Sequence, residues 1–210
     1  MGPITLYYSP GACSLAPHIL LQESGLEFSI HKEKTGQFTP ALYALNPKGK
    51  IPVLALDNNT IITENPAIMN AISTLVPEKN LFGKTPWDAV RVYEWLTWLS
   101  GTLHGQGFGL LFRFRRYTDD EGQFEGLKKR GMAIVTDCFE IIEQKLTEAG
   151  DGRFAVGGAF TAVDAYLFVF HRWALGCEID MPALYPRYTA LYEAVGGMEA
   201  TKKALAAEGL

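Results

Sequence analysis

The spacing of apolar and polar positions changes character partway along the chain. Up to about residue 80, short apolar runs alternate with helical patterns. Ile4–Tyr8 reads as a strand. Ser14–Ser24 follows with Leu15, Ile19 and Leu20 at helical spacing, and Gly25 stands where a helix-ending glycine belongs. Glu27–His31 predicts a second strand, completing a βαβ unit whose crossover is expected to be right-handed. Val53–Leu56 and Thr60–Thr63 flank the turn residues Asp57, Asn58 and Asn59, which predicts a hairpin. Asn65 as N-cap, with Pro66 at the first helical position, opens helical spacing over Ala67–Val76.

Residues 77–86 are rich in Pro, Gly and Lys and read as a connection, its core at 81–86 separating a first domain (1–80) from a second (87–210). Beyond it the pattern is helical throughout. Trp87–Ser100 is amphipathic and is followed by the interrupting glycines Gly101, Gly105, Gly107 and Gly109. Gly122–Ala149 is a second long helix, and 183–195 and 198–208 are shorter ones. Thr161–Leu175 is apolar nearly all round, which predicts a buried helix. Thr161 and Asp164 form its capping pair, whose loss costs about 1 kcal/mol or more. The expected fold class is an N-terminal thioredoxin-like α/β domain, βαβ then ββα, followed by an all-helical domain.

Composition narrows the function. Apolar residues make up 48% of the 210 positions, enough for a substantial core. A formal charge of -4 argues against a nucleic-acid partner. The basic runs Arg113–Arg115–Arg116 and Lys128–Lys129–Arg130 are short and lie among Asp119, Asp120, Glu121 and Glu125, so they read as solvated helix faces. No apolar run reaches the ~18 residues of a membrane span, and Met1–Gly2–Pro3 leads into the first strand without a basic leader. A cytoplasmic, non-membrane protein is expected. Cys13, Cys138 and Cys177 fit neither a disulfide framework nor a metal motif.

Three segments carry candidate chemistry. Cys13 follows a Pro-Gly turn at the entry to a helix, where free N–H groups and the helix dipole favour a thiolate. Position alone fits a small buried hydrophobe equally well. Ala16 stands where a second cysteine would complete a dithiol motif, so a one-cysteine mechanism needs an external thiol. In Asn46–Leu54, a cis Ile51–Pro52 bond would turn the Ile51 backbone toward a bound peptide; a plain loop-to-strand transition is the simpler alternative. At Glu64–Asn65–Pro66 a helix start offers N–H groups to a carboxylate, and Glu64 can accept from an ammonium; structural capping is the competing account. A thiol site, a backbone edge and an amino-acid clamp together describe glutathione.

The runs LYYSPGACSLAPHILLQESGL, LNPKGKIPVL, TENPAI and FTAVDAYLF resemble those of beta-class bacterial glutathione transferases. The resemblance implies that Cys13 lies beside the glutathione sulfur, with Ser14 a rival hydroxyl donor. It implies that Ile51 and Pro52 pair with the cysteinyl backbone, that Lys50 and a lysine near Lys34 reach the glycyl end, and that Glu64 and Asn65 hold the γ-glutamyl group. His104 matches a histidine pointing at the thiol from the helical domain. Tyr8, Phe108, Phe112 and Trp173 are candidates for the pocket of a small apolar electrophile. Asn65, Thr97 and Gly105 depart from the family's usual serine, asparagine and lysine. The activity implied is transfer of glutathione to that electrophile, by a homodimer, with thiol-disulfide exchange at Cys13 possible. Reductive dehalogenation, isomerisation, or binding without catalysis are the alternatives.

Overall fold

The structure, a computed structural model, describes residues 2–56, 60–150 and 153–210. Its sheet has the order β2-β1-β3-β4, formed by β1 (Ile4–Tyr8), β2 (Phe28–Lys32), β3 (Val53–Ala55) and β4 (Ile61–Thr63). β1 runs parallel to β2 and antiparallel to β3, and β3 is antiparallel to β4. The expected strands are thus present, shifted or trimmed by a residue or so at their ends. The expected turn Asp57–Asn59 lies outside the described residues.

Helix α1 (Leu15–Ser24) joins β1 to β2 and ends at Gly25, whose φ of 74° is left-handed as expected of a C-cap glycine. Helix α2 (Pro40–Leu45) was not anticipated. Its signal is Thr39–Pro40: the Thr39 hydroxyl accepts from the Leu42 N–H at 3.2 Å, a standard start with proline in the first turn. Buried Glu33 fixes this start by accepting from both the Thr39 N–H (3.1 Å) and its hydroxyl (2.7 Å). Helix α3 (Asn65–Leu75) begins two residues earlier than its apolar spacing. Asn65 is therefore the first helical residue, and Glu64 holds the cap position.

The second half is helical. The interrupting glycines do not end the first long helix. α4 (Pro86–Trp98) continues as a π-helix over Leu99–Phe108 and closes as α5 (Gly109–Phe112). Those glycines serve close packing instead. A Cβ on Gly131 of α6 (Phe124–Glu148) would lie 2.8 Å from the Gly107 carbonyl, so the two backbones touch. Wide π turns are often found at functional sites, and this one carries His104.

α7 (Ala162–Leu175) is buried along almost its whole length. It packs against α1, α4 and α9 (Pro186–Gly196), with α8 (Met181–Leu184) alongside and α10 (Glu199–Glu208) returning onto α1. Leu81 and Phe82 of the connecting segment are buried, and the Leu81 carbonyl accepts from the Ala162 N–H at 2.9 Å. The connection is therefore anchored at the start of α7. There Asp164 is fully buried and accepts from the Thr161 N–H (2.7 Å), the Thr161 hydroxyl (3.0 Å) and the Ala155 N–H (2.8 Å). Burial pushes its carboxyl up to about 6, against the pull of these donors.

Asp164→Ala leaves those donors buried and unpaired, so it is expected to cost about 2–4 kcal/mol. Urea denaturation checks this as a lower midpoint at unchanged slope.

Candidate active site

A cavity of about 900 Å³ lies between the loop after β1, the start of β3, the start of α3 and the helical half. Of the anticipated site residues, Cys13, Lys50, Ile51, Pro52, Glu64, Asn65, His104, Phe108, Phe112 and Trp173 all line it. Ser14, Tyr8 and Lys34 do not line it.

Each of these three has a physical reason. The Ser14 hydroxyl is wholly buried and folded back onto Ser9, donating to its carbonyl and accepting from its N–H, both at 3.2 Å. It shapes the loop and does not face the cavity. Period-two alternation in β1 places Tyr8 with Ile4 and Leu6 on the core face, its ring 5.8 Å from that of His18. Lys34 forms an isolated bridge with Gln37 and is exposed; Thr35 and Phe38 form the cavity wall there.

The loop Pro10–Cys13 is held from two sides. The Trp173 indole N–H donates to the Gly11 carbonyl at 2.8 Å. The Gly11 N–H donates at 2.9 Å to Glu208 near the end of α10. The other oxygen of that buried carboxylate lies 2.8 Å from His18 Nδ1 on α1. The last turn of the chain thus braces the cysteine loop.

Cys13 is only 3% exposed. Its Sγ approaches the Ile51 carbonyl at 3.7 Å, and the Ile51–Pro52 bond is cis. Of the two readings that its position allowed, helix-start geometry favours a thiolate, but burial outweighs it and pushes the thiol up to about 11. Arg113, the Asn65 amide and the Cys13 and Ser14 backbone N–H groups pull the other way without prevailing. The resting side chain is a neutral thiol.

A polar chain crosses the cleft. Asn65 Nδ2 donates to the Tyr166 hydroxyl at 3.5 Å, and that hydroxyl lies 3.1 Å from His104 Nδ1. Asn65 Oδ1 is buried without a hydrogen-bond partner among the described residues. Burial, reinforced by the charges of Arg113, Lys50 and Arg116, pushes His104 down to about 4. His104 is therefore neutral near neutral pH. Glu64 adopts φ 73° and ψ 127°, a left-handed conformation unusual for a side-chain-bearing residue and worth roughly 1–3 kcal/mol of strain. Its carboxylate accepts from the Lys48 ammonium, which also donates to the Thr63 hydroxyl at 2.7 Å. The capacity to receive an ammonium, inferred for Glu64, is thus in use.

Several site residues escaped the sequence reading, Lys48 among them. Tyr166 could have been found from the aromatic stripe Tyr166–Phe170–Trp173 at helical spacing. Arg113 and Arg116 line the cavity; the assignment to a solvated face is corrected for half-buried Arg113, whereas Arg116 is exposed and Arg115 between them pairs with Glu121 at 3.1 Å. Local charge density hid this, because the turn after α5 sorts the three arginines. Of the departures from the family pattern, Gly105 lines the cavity, whereas Thr97 is exposed and does not. Among the described residues, no cluster of three or more His, Cys, Asp or Glu could hold a metal ion.

A four-stranded mixed sheet carrying a thiol loop, a proline-led strand and a helix-start clamp, followed by a helical half, defines a glutathione-transferase fold. The comparisons agree. The family model for the glutathione S-transferase N-terminal domain matches residues 11–75. The glutathione S-transferase GstA of Escherichia coli O157:H7 is 32% identical over 98% of both chains. A glutathione transferase homologue from Sulfitobacter, solved with bound glutathione, superposes with a TM-score of 0.91 over 100% of both chains at 26% identity. A bacterial beta-class glutathione S-transferase from Sphingomonas chungbukensis gives 0.82 at 33% identity, covering 98% of this chain and 99% of that one. The chain belongs to the glutathione S-transferase family, as its sequence motifs imply.

A thiol with its pKa near 11 is ionised to roughly one part in ten thousand at pH 7, against a few per cent for an ordinary cysteine. Alkylation of Cys13 by iodoacetamide in the free protein, followed by peptide mass mapping, is expected to be slow at neutral pH. It should rise about tenfold per pH unit, and a plateau below pH 9 would refute the assignment.

Proposed function

We propose that this chain is an enzyme, a glutathione transferase, with the glutathione sulfur seated beside Cys13 and the acceptor between Phe108, Phe112 and Trp173. The observation that carries the reading is the convergence of Cys13, Ile51 and the Glu64–Asn65 pair on one cavity from three separate chain segments. Their chemistry matches the parts of glutathione in order. Ile51 offers a backbone edge to the cysteinyl unit. Glu64, whose Oε1 Lys48 engages, answers the γ-glutamyl ammonium with its other oxygen, and Asn65 with the first N–H groups of α3 answers its carboxylate. Lys50 suits the glycyl carboxylate. Within this arrangement, a buried neutral Cys13 acts as an S–H donor to the glutathione thiolate rather than as the attacking group.

The first 80 residues serve as the glutathione domain, 87–210 supplies the acceptor pocket, and 81–86 joins them. A homodimer follows from the family and is supported by Trp87 (77% exposed), Val90 and Tyr93, which line one face of α4 at helical spacing. Such an apolar stripe suits a partner surface. Among the described residues no helix is long and apolar enough to cross a membrane, in keeping with a cytoplasmic site of action.

Cys13→Ala separates the roles. Conjugation of glutathione to a chloronitroarene is expected to survive with about a tenfold loss in kcat/KM, the worth of one donor to a charged sulfur. Any exchange with glutathione disulfide that runs through Cys13 should disappear in the variant. Full exchange in the variant would exclude Cys13 from that chemistry. Failure of the wild type to bind glutathione in calorimetry would refute the transferase reading.

A further inference from the structure

The cavity is more cationic than a site for glutathione and an uncharged electrophile requires. Lys48, Lys50, Arg113 and Arg116 line it, against the single carboxylate of Glu64, which Lys48 engages. Arg113 is half-buried at the end of α5, one residue after Phe112. Among the described residues neither Arg113 nor Arg116 has a carboxylate within ion-pair distance, whereas Arg91 and Arg115 are paired with Glu94 and Glu121. Arg116 nearby is exposed, and a cavity-lining guanidinium with no carboxylate partner of its own is open to an anionic ligand. The two lie near one another and near the chemistry: the charge of Arg113 is felt by Arg116, by His104 and by the Cys13 thiol.

The neighbouring surface is aromatic. Phe108 and Phe112 stack at 5.3 Å, and Trp173 stands edge-on at 5.1 Å from the first and 6.1 Å from the second. Phe112, half exposed, and Tyr117 present rings to the cavity beside the two arginines. An aromatic platform bordered by an unpaired guanidinium fork matches a flat electrophile bearing a carboxylate, which a guanidinium binds in bidentate fashion. The carboxylates of glutathione have other partners in the proposed seating, at Lys50 and at Asn65 with the start of α3.

We infer that the acceptor half of the cavity selects aromatic electrophiles carrying an anionic group, with Arg113 meeting the anion and Arg116 reinforcing it. The inference rests on the glutathione-transfer reading and names its acceptor class. In the reaction tested, the glutathione thiolate attacks the ring carbon bearing chloride. The C–S bond forms, the C–Cl bond breaks, and chloride leaves with the bonding pair. The thiol proton has already passed to solvent.

The probes are a chlorodinitrobenzoate and its methyl ester, each scored as kcat/KM relative to its own uncatalysed rate with glutathione, because the ester ring is intrinsically more reactive. In the wild type the enhancement is expected to be about ten- to a hundredfold larger for the carboxylate, the range of a charge-assisted pair. Added salt should shrink that excess. Arg113→Gln should raise the KM of the carboxylate more than it lowers kcat, losing about tenfold more on the carboxylate than on the ester. Arg113→Lys, which keeps the charge and loses the fork, should recover part of the preference and guards against a folding defect in the first variant.

Equal wild-type enhancement on both probes, with glutathione still bound, would overturn the acceptor assignment alone. Equal losses on both probes in Arg113→Gln would also overturn it, since the arginine would then serve the thiolate. A wild type that binds no glutathione would overturn the transferase reading and this inference together.

Discussion

The buried helix α7 is the constraint on which the rest of the molecule depends. Its N-terminus is fixed by the capping exchange between Thr161 and Asp164, and its first N–H is tied to the segment connecting the two halves. Being apolar on nearly every face, it can be packed between α1, α4 and α9 at once. Its aromatic stripe then reaches the site: Tyr166 bonds to Asn65 and His104, and the Trp173 indole holds the Gly11 carbonyl. A helix whose burial is a matter of stability thus sets the distance between the cysteine loop and the helical wall of the cleft.

The electrostatics of the cleft follow from the same burial. Low solvent access raises the Cys13 thiol and lowers His104, so both are neutral near neutral pH. Mobile surface charges would be screened, but charges around a cleft act over its low-dielectric interior. Arg113, Lys50 and Arg116 therefore dominate the local field and prepare it for anions. Glutathione brings two carboxylates and, when ionised, a thiolate. In the proposed seating, the protein's own thiol stays protonated beside a thiolate that this field favours.

Much of the fold was legible because its signals are local. The period-two run of β1, the helical spacing of α1 and α6, and the capping pair of α7 each lie within one segment, and the strands and helices fall close to their expected ends. Local signals also misled. Glycines that read as interruptions of the first long helix permit a backbone contact between Gly107 and Gly131, which a single segment cannot reveal. Thr39–Pro40 carried a start signal for a helix too short to show periodicity.

At the site the division has the same cause. Residue types and their order along the chain determined that a cysteine, a proline-led strand and a Glu-Asn helix start were present, and together these implied glutathione. Tertiary structure alone decided which side chains face the cavity. Alternation sent Tyr8 to the core, back-bonding to Ser9 withdrew Ser14, and the turn after α5 brought half-buried Arg113 and exposed Arg116 to the cavity while sending Arg115 away from it. It also weighed between the two open readings of Cys13. A helix start lowers a thiol's pKa when water has access. Here burial, a sum over residues distant in sequence, outweighs the local dipole and leaves a protonated thiol beside the proposed seat of the glutathione sulfur.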